Sequence, residues 1–285
     1  MDHCIKFACV GDWGNGNENQ YLVGNLLNKM IKNNDIEFIC GLGDNFYPDG
    51  LTKDNLKQEV KEKFQNPYKD CKAPFYMVLG NHDYMGDSEL QTQINSLDDR
   101  WILPHRYYDF IMNSDNDKDL KVHFVCFDSN YEYYSKDEWK TQIDWLEERL
   151  SSTKYQVTWT ILVSHHPWKS YGSHGNSNGI LKDLYETLTN KYPIDFILNG
   201  HDHDKQLIVT KNKTKQIISG TGSIIRHNPN RNKGNNLRFY SETLGLCQIM
   251  LYNKKAIVKF INELGEQEYQ TLFIPKSLIE QLKKK

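Results

Sequence analysis

The chain has 285 residues, of which 38% are hydrophobic and 25% are charged, and its formal net charge is -2 at pH 7. This composition supplies enough apolar material for a large core, and nothing in it indicates a nucleic-acid-binding protein. No stretch approaches the roughly 20 apolar residues that a membrane-spanning helix needs, so we expect neither nucleic acid nor membrane as a partner.

Apolar strand-like runs alternate with amphipathic helix patterns through the first two thirds of the chain. Strands are predicted at residues 5–10, 38–42, 75–79, 122–127, 158–163 and 196–198. The helices between them are predicted from the apolar face Leu22, Val23, Leu26, Leu27, Met30 and Ile31, from residues 55–64, from Trp139, Ile143, Trp145 and Leu146, and from residues 180–191. Ser135 and Glu138 have the spacing of a capping box at the start of the third helix.

Beyond residue 203 the pattern changes to strands alone. Strands predicted at residues 206–210, 216–219, 246–252, 256–261 and 268–274 form a second, largely antiparallel set. The predicted fold class is therefore α/β, with two sheets face to face and helices outside. In open α/β sheets, ligands bind beyond the carboxyl ends of the strands.

Five short motifs, each at the end of a predicted strand, contain residues that can bind metal ions. They are Gly11-Asp12-Trp13-Gly14, Gly43-Asp44-Asn45-Phe46-Tyr47, Gly80-Asn81-His82-Asp83, Ser164-His165-His166-Pro167 and Gly200-His201-Asp202-His203. Their oxygen and imidazole ligands suit iron, zinc or manganese. Two such cations about 3.5–4 Å apart can share one carboxylate and clamp a phosphoryl group, and Asp44 is the best candidate for the shared ligand.

Spacing within the motifs adds two expectations. His201 and His203 lie two residues apart, so in an extended segment both imidazoles project to the same side and each can serve a different metal. Tyr47 follows Asp44 by three residues. A phenol with an ordinary pKa of about 10 binds as phenolate only beside a strongly acidic cation, so Tyr47 predicts a trivalent ion in one site.

Each motif alone also has an ordinary structural explanation. Gly-Asp after a strand is common turn chemistry. The Gly-His-Asp-His segment can be a surface loop, and an isolated Tyr47 can be a half-buried ring with its hydroxyl in water. The metal hypothesis depends on all five motifs occurring together and in this order.

As a set, these motifs resemble those of the purple acid phosphatases, within the metallophosphoesterases, and specifically the small, tartrate-resistant type. The resemblance runs from Ile5 through Ile274 and includes Ile218-Ser219-Gly220-Thr221-Gly222 and Leu237-Arg238-Phe239-Tyr240. It implies a four-layer αββα sandwich of two mixed sheets flanked by helices. It also implies an acid phosphatase that hydrolyses phosphate monoesters, small molecules or phosphopeptides, with a hydroxide held by two metal ions.

The resemblance further implies a role for each residue. A ferric ion would be bound by Asp12, Asp44, Tyr47 and His203, and a divalent iron or zinc ion, with manganese as a further option, by Asp44, Asn81, His165 and His201. The outer-sphere catalytic histidines of the family fall on His82 and His174. We expect His174 or His82 to stabilise the phosphoryl oxygens and protonate the leaving alcohol, and Asp83 or Asp202 to orient a neighbouring imidazole. In the family the metal-binding histidine stands two residues before a proline, which selects His165 over His166.

The order of the motifs and the position of the first strand lead to expectations about domain organisation and compartment. Length alone suggests about two domains of about 150 residues, but the interleaved ligands predict a single domain, residues 1–285, expected to be a monomer. The first strand leaves no room for a signal peptide, so the chain as written would be cytoplasmic, and secreted or lysosomal if a leader was removed. The six cysteines are expected to be reduced, with Cys71 exposed.

Two segments and two other functions stay open. Tyr131, Tyr133 and Tyr134 form either an aromatic rim over the metals or a cover for the next helix. Residues 226–238 are a basic loop that either attracts anionic phosphate esters or is simply solvated. A dimetal phosphodiesterase or nucleotide hydrolase is disfavoured by Tyr47, and a non-catalytic scaffold of the same fold is disfavoured by the complete ligand set.

Overall fold

Strands organise the part of the chain that the computed structural model describes, which is residues 4–115, 117–153, 156–228 and 234–283. The strands are β1 (Ile5–Val10), β2 (Phe38–Gly41), β3 (Phe75–Met77), β4 (Trp101–Ile102), β5 (Tyr108–Asn113), β6 (Lys121–Cys126), β7 (Trp159–Val163), β8 (Phe196–Asn199), β9 (Lys205–Val209), β10 (Lys215–Ser219), β11 (Leu237–Ser241), β12 (Gly245–Leu251), β13 (Ala256–Asn262) and β14 (Gln267–Phe273). The α-helices are α1 (Glu18–Lys32), α2 (Leu56–Val60), α3 (Lys136–Thr153), α4 (Gly179–Lys191) and α5 (Lys276–Lys283). A π-helical turn, Lys61–Gln65, and 3-10 segments at His82–Met85, Ser88–Ser96 and Tyr131–Tyr133 complete the helical elements.

Two mixed sheets of seven strands each form the centre of the fold. Their strand orders are β14-β13-β12-β1-β2-β3-β4 and β11-β9-β10-β8-β7-β6-β5. In the first sheet β1 to β4 run parallel, and in the second β6, β7, β8 and β10 do. The carboxyl ends of each parallel group therefore meet at one edge of its sheet.

The strands alternate their side chains between two cores. Phe124 of β6 and Ile161 of β7 point into the core between the sheets, whereas Val125 and Leu162 point into an outer core with α3 and α4. Helix α1 packs Val23, Leu26, Leu27 and Met30 on the other side of the first sheet. Burial on both faces is usual for parallel strands, and it produces the expected four-layer αββα sandwich, which confirms the predicted fold class.

The expectation of a separate antiparallel set after residue 203 was wrong. Strands β9, β10 and β11 extend the second sheet, while β12 pairs antiparallel with β1 and brings β13 and β14 into the first. Because β1 is buried, both of its edges need hydrogen-bond partners, and β12 satisfies the one that β2 leaves open. Strands β4, β5 and β11 were not predicted.

Some local expectations also need correction. Leu22 is exposed, and Trp139, Ile143 and Trp145 are only partly buried, whereas Leu146 is fully buried. Cys71 is buried, not exposed, because Arg100 donates to the Cys71 carbonyl oxygen at 2.7 Å and folds the polar stretch inward. Cys9, Cys40, Cys71, Cys126 and Cys247 are buried free thiols. The capping box is confirmed, with Ser135 N–H donating to Glu138 Oε2 at 2.9 Å. Among the described residues, no helix has both the length and the apolarity to cross a membrane.

Candidate metal centre

The loops that follow β1, β2, β3, β7 and β8 bring all the predicted ligands to one place, where the two sheets open. Asp12 follows β1, Asp44 and Tyr47 follow β2, and Asn81 follows β3. From the second sheet, His165 follows β7, and His201 and His203 follow β8. The expected convergence at the carboxyl ends of the strands is what the structure contains.

The first group of ligand atoms surrounds the Tyr47 hydroxyl. Tyr47 Oη lies 2.8 Å from Asp44 Oδ2, 3.2 Å from Asp12 Oδ1 and 3.3 Å from His203 Nε2. His203 Nε2 is 3.4 Å from Asp12 Oδ1. One hydroxyl proton cannot satisfy two carboxylate oxygens and a ring nitrogen at once, so unshared lone pairs face each other here.

The second group surrounds His165 Nε2. This nitrogen lies 3.1 Å from Asn81 Oδ1, 3.3 Å from His201 Nδ1 and 3.5 Å from Asp44 Oδ1. His165 Nδ1 is 2.8 Å from the Leu42 carbonyl oxygen, which can only accept, so the neutral ring carries its proton on Nδ1. Nε2 therefore presents a lone pair to the other ligand atoms.

The spacing of the two groups fits metal ions. Atoms that bind one tetrahedral cation at about 2.0–2.1 Å lie about 3.4 Å from one another. The contacts within each group fall close to that value, and Asp44 directs Oδ2 to the first group and Oδ1 to the second. The residues present can therefore hold two cations that share the Asp44 carboxylate.

The backbone around the ligands is strained and crowded. Asp12, Asp44 and His201 have φ angles of 59°, 54° and 71°, in the left-handed region that non-glycine residues rarely occupy. Such conformations persist only where the surroundings enforce them, and they cluster at functional sites.

Two glycines permit the close approach of the two ligand carboxylates. A Cβ atom at Gly80 would lie 2.2 Å from Asp44 Oδ1, and one at Gly200 would lie 2.6 Å from Asp12 Oδ2. Any side chain at either position would push the carboxylate away from the other ligands. The Gly-Asn and Gly-His pairs of the sequence motifs are explained by these contacts.

Burial makes this site electrostatically costly without cations. It raises the pKa of Asp12 well above its ordinary value, and the Asp44 charge adds to the effect. Burial, followed by the charges of Asp12 and Asp44, raises the pKa of the Tyr47 hydroxyl far above its usual range. Burial, followed by the neighbouring His166 and His165, lowers the pKa of His201, which keeps the ring neutral. Neutral imidazoles and deprotonated carboxylates are the forms that bind metals, so bound cations would offset the cost of ionising Asp12 in this buried site.

The two predicted catalytic histidines lie beside the ligand groups. The His82 ring packs on Tyr47 with centroids 4.4 Å apart, and its Nδ1 donates to the Pro48 carbonyl oxygen at 2.7 Å, which leaves Nε2 free of that bond. The His174 ring is 4.3 Å from the His201 ring. His174 Nε2 accepts a hydrogen bond from Arg226 Nη1 at 2.7 Å. Both rings therefore border the two groups of candidate ligand atoms.

Neither Asp83 nor Asp202 orients an imidazole as expected. Asp83 accepts from the backbone N–H groups of Asn45 and Gly80 at 2.9 and 2.8 Å, so it fixes the loops that carry Asp44 and Asn81. Asp202 accepts from the backbone N–H of His174 at 2.8 Å. Both buried carboxylates therefore fix the backbone of the loops, because they accept hydrogen bonds from N–H groups that the turns themselves do not satisfy.

His166 lies behind the ligand groups, in contact with a different partner. Its Nδ1 is 2.8 Å from Ser129 Oγ, and its ring is 4.5 Å from that of His201. Burial, followed by the charge of His165, lowers the pKa of His166 to about 3. His165, His166 and His201 each place one nitrogen within 4.8 Å of the others, so His166 remains close enough to be an alternative ligand.

A cavity of about 310 Å³ opens beside the second ligand group. Asn81, His174 and His201 line its inner part, and Tyr131 and Tyr133 line its outer part. Tyr131 and Tyr134 also contact Trp139 of α3, so the segment both borders the cavity and covers the helix.

The basic loop meets the site through Arg226, and its residues 229–233 lie outside the described part of the chain. Sequence reasoning named the loop but not the contact between Arg226 and His174, and it did not find Ser129. Serine after a strand and its aspartate gives no distinctive signal, since Ser is common in turns.

A sequence profile described as calcineurin-like phosphoesterase matches residues 5–205. Purple acid phosphatase 17 of Arabidopsis thaliana is 30% identical over 282 residues, covering 93% of this chain and 83% of that protein. Tartrate-resistant acid phosphatase type 5 of Homo sapiens is 24% identical and covers 94% of this chain and 90% of that protein. The chain therefore belongs to the calcineurin-like phosphoesterase family and, within it, to the purple acid phosphatases.

A solved structure with a different description is also similar. GAP50, described as the anchor in the inner membrane complex of Plasmodium, superposes with a TM-score of 0.86 at 26% identity, covering 96% of this chain and 90% of that one. Purple acid phosphatases are dinuclear metal enzymes that act on phosphate esters, so family membership supports a metal-dependent phosphoester hydrolase.

Proposed function

We propose that the protein is an acid phosphatase that hydrolyses phosphate monoesters at a centre of one ferric ion and one divalent iron, zinc or manganese ion. The observation that carries the proposal is that the Asp44 carboxylate joins the two groups of ligand atoms. Its Oδ2 lies 2.8 Å from Tyr47 Oη, and its Oδ1 lies 3.5 Å from His165 Nε2. We assign Asp12, Asp44, Tyr47 and His203 to the ferric ion and Asp44, Asn81, His165 and His201 to the divalent ion.

The two cations would supply Lewis-acid polarisation of the phosphoryl oxygens and a water of lowered pKa. The chain's own residues do the rest. His82 and His174 hydrogen-bond to the phosphoryl oxygens, and one of them gives its proton to the departing alcohol oxygen. Arg226, already bonded to His174, adds a fixed positive charge on the same side. Because ligands come from both sheets, we propose that residues 1–285 act as one domain.

Tyr47 favours a ferric ion over a purely divalent centre. Its hydroxyl is buried between two carboxylates that oppose its ionisation, so a divalent ion would have to overcome a large penalty to bind phenolate. A trivalent cation withdraws the proton far more strongly. This argument disfavours the dimetal phosphodiesterase or nucleotide hydrolase without a ferric site.

The test is the visible spectrum together with metal analysis and turnover of a phosphomonoester panel across pH. We expect two metals per chain and a purple phenolate-to-iron charge-transfer band. Tyr47→Phe should abolish the band while the circular dichroism spectrum of the folded protein is retained. A colourless wild-type protein that contains two divalent ions and is fully active would contradict the ferric assignment.

An anchoring role is a second candidate, favoured by the likeness to GAP50 over 96% of this chain. The two functions differ in what they require of the ligand cluster. An anchor has no need for strained ligands or for buried carboxylates that approach each other. Metal-loaded protein that hydrolyses no phosphoester would favour the anchor over the phosphatase.

A further inference from the structure

The cavity beside the metal ligands has a chemical character of its own. Its volume is about 310 Å³, and it runs from Asn81 and His201 at the ligand cluster to Met85, Tyr131, Glu132 and Tyr133 at its mouth. A phosphate ester bound at the ligand cluster would place its alcohol portion in this cavity. The lining residues therefore decide which alcohols fit, a question that the phosphatase chemistry leaves open.

One full charge stands out among the residues that line the cavity. Glu132 carries a carboxylate there, and none of the described lining residues is a lysine or an arginine. Glu132 is exposed, and its Oε1 accepts a hydrogen bond from the Tyr131 hydroxyl at 3.2 Å. A cationic group in the cavity would gain from this carboxylate, and an anionic one would be repelled.

The aromatic side of the cavity is held rigidly. The Tyr133 ring stacks on Tyr84 with centroids 4.4 Å apart and an interplanar angle of 26°. The Tyr84 hydroxyl donates to the buried carboxylate of Asp128, which also accepts from Tyr134 at 3.1 Å. Tyr133, with 52% of its surface exposed, thus offers an aromatic surface at the mouth of the cavity. Its contacts already fix the ring, so a ligand need not immobilise it on binding.

Aromatic rings next to a carboxylate are the surroundings that proteins use to bind organic ammonium groups. Arg226, which is not among the residues that line the cavity, contacts His174 at 2.7 Å, at the inner part of the site. The site is therefore positive where the phosphate belongs and negative and aromatic where the alcohol belongs. This charge separation matches a zwitterionic phosphoester.

We propose that the preferred substrates are phosphate monoesters of small alcohols that carry a cationic ammonium group, bound by Glu132 and the rings of Tyr131 and Tyr133. The inference builds on the proposed phosphatase activity. It adds recognition of the leaving alcohol and does not alter the metal chemistry.

The test compares two esters of nearly equal shape on the metal-loaded full chain. Phosphocholine carries a trimethylammonium group, and 3,3-dimethylbutyl phosphate carries a neutral tert-butyl group in its place. The two alcohols differ in intrinsic reactivity, so the measured quantity is the ratio of their kcat/KM values and its change between variants. We expect Glu132→Gln to lower that ratio about tenfold, as the loss of a contact to a charged group would.

Matched variants separate charge from shape. Tyr133→Leu should lower the ratio about fivefold because it removes the aromatic face, and Tyr133→Phe should keep the wild-type ratio because it retains the face. Glu148, an exposed glutamate of α3 outside the cavity, serves as the control, and Glu148→Gln should leave both kcat/KM values unchanged.

Four results would count against the proposal. An unchanged ratio in Glu132→Gln would remove the charge recognition. Equal losses on both esters in Tyr133→Leu would show that the ring binds apolar groups of any charge. If the metal-loaded protein hydrolysed neither ester nor any other phosphomonoester, the proposed function would be wrong, and this inference with it. Turnover of the neutral ester without a preference for the ammonium ester would overturn the inference alone.

Discussion

The metal cleft and the aromatic layer between the sheets are built from the same strands, yet they contribute to folding stability with opposite sign. The metal cleft comprises Asp12, Asp44, Tyr47, Asn81, His165, His201 and His203, and the aromatic layer comprises Phe7, Phe38, Tyr76, Phe110 and Phe124. Strand β1 contributes Phe7 to the layer and leads into Asp12, and β2 contributes Phe38 and leads into Asp44. A few residues along one strand thus separate a stabilising region from a functional one.

The aromatic layer is apolar and closely packed. Phe7 stacks on Phe38 at 5.1 Å, and Phe124 meets both edge-on at 5.3 and 5.6 Å. Phe110 stacks on Phe124 at 4.7 Å. Each fully buried ring, such as Phe7 or Phe124, contributes about 1.5–3 kcal/mol through burial, and each ring pair about 0.5–1.5 kcal/mol more.

The metal cleft has the reverse balance. Three ligands hold left-handed backbone conformations, which cost of order 1–3 kcal/mol each, and two buried carboxylates share one hydroxyl proton. The comparison indicates that the layer offsets the strain of the cleft, so changes in the two regions should separate stability from function.

The largest effect should come from removing the shared ligand. Asp44→Ala should deplete both metals and lower kcat/KM by about 10⁴-fold or more, because both ligand groups lose a member at once. Its unfolding midpoint without metals should not fall, since the substitution also removes a buried charge. Metal analysis, turnover and thermal unfolding measure the three quantities. Asp54→Ala, at an exposed position, is the control, and full turnover by Asp44→Ala would contradict the shared role.

Phe124→Ala should give the opposite result. Removing a fully buried ring that contacts both sheets should lower the free energy of unfolding by about 3–5 kcal/mol. The protein that remains folded should bind two metals and keep the wild-type kcat, because no ligand moves. Denaturant unfolding and metal titration of the same samples test this. A folded Phe124→Ala protein that lost its metals would show that the layer and the cleft are coupled.

The candidate ligands are easier to recognise in the sequence than the strand partners, because the signals of the ligands are local. Each ligand follows a short apolar strand and often a glycine, so Asp12 or Asn81 can be recognised within a few residues. Strand partners are not local. Residues of β12 pair with those of β1 more than 230 positions away, as Ala8 with Gln248, and no pattern inside β12 specifies that choice.

Short or exposed elements were also beyond the sequence patterns. β4 has two residues, and β5 forms an edge of its sheet with partly exposed side chains, so neither gives a clear period. The contact between Arg226 and His174 joins residues 52 positions apart. Its chemistry becomes visible only when the loops after β7 and β10 have been placed.

Adjacent histidines allow a finer comparison inside the cleft. His165→Ala should lower the affinity for one metal about 100-fold or more, because its Nε2 faces Asn81 and Asp44, whereas His166→Ala should change it by less than about tenfold. Metal titration of the two variants, which lie in the same loop, measures the difference. Greater metal loss in His166→Ala than in His165→Ala would reverse the assignment.

The smallest effect should come from the rim of the cleft, where Arg226 is exposed and holds no metal. Arg226→Ala should raise KM for a phosphomonoester and the inhibition constant of inorganic phosphate about tenfold, because a charge-assisted hydrogen bond is worth about 1.5–3 kcal/mol, less what solvent screens. Arg226→Lys should recover part of the loss, and Arg238→Ala, an exposed arginine of β11, should have little effect. An equal rise of the inhibition constant in Arg226→Ala and Arg238→Ala would show that the loop acts through its overall field. A rise in neither variant would show that the metals and histidines alone hold the phosphate.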